Sequence, residues 1–299
     1  MPCDVTIVVV TYNSSPLLGT LLESLPAALG SLSADVVVVD NGSSDGTADL
    51  AARRRDCRLV RSVNVGYAGG LNLGIRASLR TDAILVLNPD TRLDAGAIET
   101  MMRTLQEPGV GVVAPRILSP DGALVTSLRR EPTLRRALGL SARGRPALSE
   151  TVLELEEYER PRDVDWATGA VLLMSRDCYD AVGGWDESYF LYSEETDFCL
   201  RARELGWTTR YEPSAVAMHI GGGSGRNEVT HAMMAVNRVR LYARRHGRSS
   251  ALAYLALSVL AEASWLVRGR SEARTAIRAL LRPSARPPEL GAGRRLIPQ

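Results

Sequence analysis

A chain of 299 residues is long enough for one large domain, or a domain with an appendage, around a sizeable buried core. Hydrophobic residues at 45% and charged residues at 23% are ordinary for a soluble globular protein, and a net charge of +2 carries no general nucleic-acid signature. All 36 basic residues are arginine; codon usage is the plain explanation, and the lack of lysine excludes a Walker-type phosphate lysine, a pyridoxal Schiff base and a kinase strand lysine.

The chain opens on MPCDVTIVVVTYN, with no basic residue ahead of the apolar run, so it reads as a first strand without a signal-peptide pattern. VTIVVVTY (5–12), VVVVD (36–40), AILVLN (83–88) and VGVVAP (110–115) are continuous and rich in β-branched residues, as strands covered on both faces are. Amphipathic stretches near 15–30, 46–55, 69–80 and 94–106 lie between them and predict helices. The alternation predicts an α/β fold with a mostly parallel sheet and helices on both sides. Ligands in such sheets sit at the carboxyl ends of the strands. Those ends are Tyr12-Asn13, Asp40-Asn41 and Asn88-Pro89-Asp90, which should converge on one crevice.

From 116 to 164 the periodicity fails and arginine is frequent, which predicts a mobile, basic surface segment with a short helix. A second structured block runs from WATGAVLLMSR (166–176) to about His219, and the remaining residues look helical. Cys3, Cys57, Cys178 and Cys199 are scattered without a C-x-x-C pair, which argues against zinc and a disulfide framework and fits a reducing compartment.

Five segments can carry chemistry, and each has a plainer reading. In VVVVDNGSSDGT, Asp40 ends a buried strand and can accept from a ribose or base edge, or the turn is only punctuation before a helix capped at Ser44 or Asp45. In NVGYAGGLNLGI, glycines open a helix and let backbone approach an anion, or they allow close helix packing; the pattern is not that of a dinucleotide-binding dehydrogenase. Pro89 aims Asp90 out of the sheet, where one carboxylate plus a diphosphate can hold Mg²⁺ or Mn²⁺, or Asp90 caps the next helix, a task that suits Asp94 better. In YFLYSEETDFCLRARELGW, Ser193, Glu194, Glu195 and the Asp197–Arg201 pair describe a well-capped amphipathic helix, or a half-buried acidic corner that can hold a general base. His219 closes a short strand in AVAMHIGGGSG and is a structural residue or a ligand.

Read together, VVVTYN, VVVDNGSSDGT, NVGYAGGLNLGI, LNPDTRL, WATGAVLLMSRDCYDAVGGWDESYFLYSEETDFCLR and the later H-I-G-G-G-S resemble glycosyltransferase family 2, the inverting enzymes with the GT-A nucleotide-sugar fold, and within it the rhamnosyltransferase-like branch. The resemblance spans roughly residues 4–225 and implies a GT-A catalytic domain over 1–225. That domain comprises a nucleotide-sugar half (1–115), a basic variable segment (116–164) and an acceptor half (165–225), followed by a helical tail (226–299). By the same resemblance Thr11, Tyr12, Asn13, Asp40, Asn64, Gly66, Asn72, Asn88 and Asp90 bind the donor. Asp90 and His219 hold a divalent cation, Glu195 with Glu194 is catalytic, and Trp185, Asp186 and Asp197 shape the acceptor side. Asn88 stands where the family's D-x-D motif has its first acid, which weakens the metal site, and Glu195 replaces the commoner aspartate.

The implied reaction moves a sugar from a nucleoside diphosphate to an acceptor hydroxyl with inversion. The favoured donor is dTDP-rhamnose, with UDP- and GDP-sugars as alternatives, and the acceptor is a glycan or polyprenyl-diphosphate-linked glycan in cell-surface polysaccharide synthesis. SSALAYLALSVLAEASWLV is too short and too interrupted, by Ser258, Glu262 and Ser264, for a convincing membrane span. With its flanking arginines it fits an interfacial helix on the inner face of the cytoplasmic membrane, or a buried core or dimer helix. The rival readings are a nucleotidyltransferase, which TYNSSPLLG disfavours for lack of a basic glycine-rich loop, and an inactive nucleotide-sugar-binding protein.

Overall fold

A computed structural model describes residues 3–138, 145–221 and 227–297. β1 (Val5–Thr11) pairs in parallel with β2 (Ala34–Asp40), β2 with β3 (Arg58–Arg61), and β1 again with β4 (Ala83–Leu87). Every residue of β1 and β4 is buried, a requirement met by runs of Val, Ile and Leu without polar alternation. β3 is a short edge strand whose end residues are exposed, and that pattern carries no apolar run by which sequence alone would find it.

The crossovers are α1 (Ser15–Leu29), α2 (Thr47–Arg53) and α3 (Gly66–Ala77). α3 lies tight on the sheet because a side chain at Gly74 would strike Val8, and a Cβ at Gly70 would stand 2.7 Å from Val10. Close packing therefore explains these two glycines. The caps expected at Ser44, Asp45 and Asp94 do not form: α2 starts from Gly46 and α4 (Ala97–Leu105) from Gly96. Asp45 instead binds the backbone N–H of Ser15 and Thr47 at 2.9 and 3.0 Å, tying two loops together.

Past β4 the order of strands departs from a simple alternation. β5 (Thr91–Leu93), β6 (Val110–Leu118), the small pair β7 (Leu128–Arg129) and β9 (Trp166–Ala167), and β8 (Arg162–Val164) precede β10 (Val171–Ser175). β10 runs antiparallel between β4 and β6. After α5 (Arg176–Val182) and α6 (Glu194–Glu204), β11 (Thr208–His219) pairs in parallel with β6 and, beyond an irregularity after Glu212, antiparallel with β5. α1 and α4 cover one face of the sheet, and α3, α5 and α6 cover the other.

Residues 116–138 and 145–164 include much exposed chain and two short helical turns, as expected of a surface segment, but they are anchored in the core. Tyr158 is fully buried and its hydroxyl binds the Leu128 N–H and the Val152 carbonyl, each at 3.0 Å. The arginine-rich stretch 139–144 and the glycine-rich residues 222–225 lie outside the described residues.

α7 (Glu228–Arg245), α8 (Arg248–Val267) and α9 (Glu272–Leu281) share a third core with Phe190 and Leu191, so the tail expected after 225 packs onto the acceptor half. α8 is one 20-residue helix, long and apolar enough by length and composition to cross a membrane, and only Ala251 and Tyr254 are buried on it. Its polar interruptions are satisfied locally: Glu262 meets His231 Nε2 at 2.8 Å, and Ser258 donates to the Tyr254 carbonyl at 2.8 Å.

Candidate active site

The strand ends open on one cleft of about 970 Å³. Strand register builds its centre. β4 stops at Pro89, and the Thr91 hydroxyl donates to the Asn88 carbonyl at 2.7 Å, closing a tight turn. β5 then pairs Thr91 with His219 of β11, so Asp90 and His219 meet although 129 residues separate them; Asp90 Oδ1 lies 3.2 Å from His219 Nε2. Burial pushes the Asp90 carboxyl up, but the His219 bond and charge outweigh it and hold the carboxyl below its ordinary value. One carboxylate and one imidazole are too few for a protein-only metal cage, and among the described residues no third His, Cys, Asp or Glu joins them. The pair fits a divalent cation whose other positions are filled by phosphate oxygens and water.

At one end, Thr11, Tyr12, Asn13, Asn64 and Gly66 line the wall. Tyr12 is 55% exposed and presents its ring to the opening. Asn13 sits at φ 52° and its side chain accepts from the Ser44 N–H at 2.8 Å. Gly66, at φ 80°, packs directly under Phe190, where any side chain would strike the Phe190 carbonyl. Asn41, at a strand end expected to reach the crevice, lines the cleft, donates to the Gly66 carbonyl at 2.8 Å and keeps its buried Oδ1 without a partner. Asp40 is 4% exposed behind this wall, where it accepts from the Ser43 N–H at 3.2 Å.

The acidic corner faces the same cleft. Glu194 and Glu195 both line it, and each has a buried Oε2 with no hydrogen-bond partner. Burial, then the neighbouring Glu195 charge, drives the Glu194 carboxyl far up. Burial also raises Glu195, but backbone N–H groups and the Arg129 charge oppose it. Burial and mutual repulsion thus raise both carboxyls, so the pair as a whole holds a proton more readily than an isolated glutamate does. Gly169 lies against Glu195: a Cβ there would stand 3.4 Å from the Glu195 Cβ, in ordinary contact. Tyr67, a residue missed from sequence, donates to the Gly169 carbonyl at 3.2 Å, and the charges of Glu194, Glu195 and Asp90 all act on its phenol, which burial pushes up.

The loop leading to these acids is strained. Phe190, Tyr192 and Ser193 have φ of 59°, 68° and 76°, each costing on the order of 1 kcal/mol or more. Ser193 is consequently left-handed and makes no side-chain cap. The loop is held from α7: Asn237, fully buried, points its Nδ2 at the carbonyls of Tyr189, Leu191 and Tyr192 at 2.7, 2.9 and 3.1 Å. Arg240 donates to Asn237 Oδ1 at 2.7 Å and to the Ser188 carbonyl at 3.0 Å.

Five expected site residues lie outside the cleft wall: Asp40, described above, and four more whose side chains are taken up in packing, hydrogen bonds or ion pairs behind it. Asn72 donates to the Trp185 carbonyl and to Glu187 at 2.9 Å each and accepts from Tyr179, so it fixes the loop after α5 and does not face a donor. Trp185 stacks on Phe198 at 4.7 Å. Asp186 pairs with Arg244 at 2.5 Å, and Asp197 with Arg201 at 2.7 Å. The acceptor-side role expected of Trp185, Asp186 and Asp197 gives way to buttressing. The other end of the cleft is lined by residues that sequence reasoning did not single out, among them Arg129, Trp166 and Met233.

The family model described as glycosyl transferase family 2 matches residues 6–155. N-acetylglucosaminyl-diphospho-decaprenol L-rhamnosyltransferase of Mycobacterium tuberculosis is 34% identical over 246 residues, covering 75% of this chain and 79% of its own length. The low-salt glycan biosynthesis hexosyltransferase Agl10 of Haloferax volcanii is 33% identical over 204 residues, 67% of this chain and 62% of its own. In fold, the chain is similar to the mannosyltransferase PcManGT of Pyrobaculum calidifontis, solved with GDP-Man and Mn²⁺ (TM-score 0.58, 19% identity, covering 97% of this chain and 82% of that one). TarS of S. aureus, solved with UDP-GlcNAc, has a TM-score of 0.56 at 15% identity and covers 98% of this chain and 84% of that one.

Proposed function

The chain belongs to glycosyl transferase family 2 and is a glycosyltransferase of GT-A fold, and we propose that it moves L-rhamnose from dTDP-rhamnose, with inversion, onto a polyprenyl-diphosphate-linked sugar. The nucleotidyltransferase alternative falls with the family assignment. One observation carries the proposal: the Asp90–His219 pair and Glu195, with its uncommitted Oε2, line the same cleft.

In this reading Tyr12 stacks on the nucleoside while Asn13 and Asn64 shape its end of the cleft. Glu195 Oε2 takes the proton of the acceptor hydroxyl as its oxygen bonds to the anomeric carbon. On the opposite face the bond to the diphosphate breaks, and the leaving oxygen keeps the electron pair. A proton kept by the Glu194–Glu195 pair limits the negative charge beside the base. Asp90 and His219 would hold a divalent cation, which would neutralise charge on the departing diphosphate. Asp90→Asn should therefore lower turnover by on the order of 10²-fold or more. It should also abolish the rise in melting temperature that Mn²⁺ adds to dTDP binding. Activity that survives thorough chelation contradicts the metal role.

We place the enzyme on the inner face of the cytoplasmic membrane, attached by α8. The support is the bare apolar surface of α8 and, at its end, Arg268 and Arg270 stacked over Trp265 at 4.7 and 4.3 Å. Deleting the helices would strip the core shared with α7, so point variants are the better test. Arg268→Gln with Arg270→Gln should weaken binding to anionic vesicles by on the order of 10-fold and leave binding to neutral vesicles unchanged. Equal sedimentation of variant and parent on anionic vesicles refutes the attachment.

A further inference from the structure

The far end of the cleft differs in chemistry from the end that holds Tyr12. β7 and β9 pair Arg129 with Trp166, and from α7 Val229, Met233 and Met234 line the opening with apolar side chains. The Arg129 guanidinium lies 5.8 Å over the Trp166 ring and donates through Nη1 to the Thr126 and Leu128 carbonyls at 2.5 and 3.0 Å. Arg136 donates to the Glu131 and Pro146 carbonyls at 2.6 and 3.2 Å. Each guanidinium keeps N–H groups beyond those used here.

Counter-ions set these two arginines apart. Arg130 pairs with Glu154, Arg203 with Glu131 and Asp165, and Arg238 with Glu150. Arg129 and Arg136 make no ion pair among the described residues, and burial disfavours the charge of both. A partly buried cation without a carboxylate partner is costly until an anion arrives. The two also line a second cavity of about 340 Å³, so neither head is sealed off by packing. The Arg129 charge favours ionisation of Glu195, the proposed base, and both residues line the cleft.

We propose that Arg129 and Arg136 bind the diphosphate of the acceptor, with the apolar side of α7 receiving the start of its lipid chain. The assignment rests on the sugar-transfer reading above. The donor carries a diphosphate too, so the shared chemistry is a diphosphate and the test must separate its two sources.

Two acceptors with the same sugar do so: farnesyl-diphospho-N-acetylglucosamine and octyl N-acetylglucosaminide. For Arg129→Gln and for Arg136→Gln, the ratio of kcat/KM on the first to that on the second should fall about 10- to 100-fold, while the Kd for dTDP stays within about threefold of the parent value. The ratio is internal to each preparation, so partial misfolding of a variant does not mimic the effect. Arg136→Lys, which keeps the charge, should recover part of the ratio. An unchanged ratio overturns the assignment and leaves the transfer reading standing. A loss of dTDP affinity as large as the loss on the diphospho acceptor also overturns it, by giving the arginines to the donor. Transfer by the parent enzyme to neither acceptor overturns the transfer reading and this assignment with it.

Discussion

Glu195→Gln should leave the affinity for dTDP intact and cut turnover by about 10²- to 10⁴-fold, the usual contribution of a positioned general base. The substitution preserves shape and removes only the ability to take a proton, so donor affinity by thermal shift and turnover by product assay separate the two effects. The sign of the pH dependence follows from the same environment. Burial raises the Glu195 carboxyl, and the base works only when ionised, so kcat/KM should fall as pH drops through a pKa above the ordinary glutamate range. A Gln variant that retains most of its activity removes Glu195 from the role.

Asn237→Ala should lower kcat by about 100-fold, because small misplacements of a catalytic group have effects of that size. It strips three loop carbonyls of their donor and leaves Arg240 without Oδ1, so stability should also drop by at least about 2 kcal/mol. Asn237→Asp keeps the volume but sets a carboxylate against the same carbonyls, and should fare no better. The readout that distinguishes positioning from mere stability is kcat measured well below the melting transition. Normal kcat there, with only a lower Tm, makes Asn237 a purely structural residue.

The sheet was legible because its first strands are buried on both faces, which leaves an unbroken apolar run in the sequence. Three acids in a helix's first turn fit both a capped surface helix and a corner that holds a base, and only the resemblance chose between them at 194 and 195. The Asp90–His219 contact was not derivable from spacing: it depends on a three-residue strand, β5, pairing antiparallel with the end of β11. Resemblance brought the two residues together, and register gives the physical cause. Asn237 and Arg240 stayed hidden because a basic amphipathic helix looks the same whether it holds a loop or faces solvent. Asn72, Trp185, Asp186 and Asp197 sit in motifs that flank the chemistry, yet hydrogen bonds, ion pairs and, for Trp185, ring stacking hold their side chains behind it.

A crystal structure with dTDP and Mn²⁺ bound tests the central assignment most directly. The base of the nucleoside should lie against Tyr12, the ion on Asp90 with the diphosphate beside it, and the Glu195 carboxylate across the open space where a sugar would stand. A nucleotide bound outside this cleft, or a Glu195 side chain turned away from that space, would contradict it.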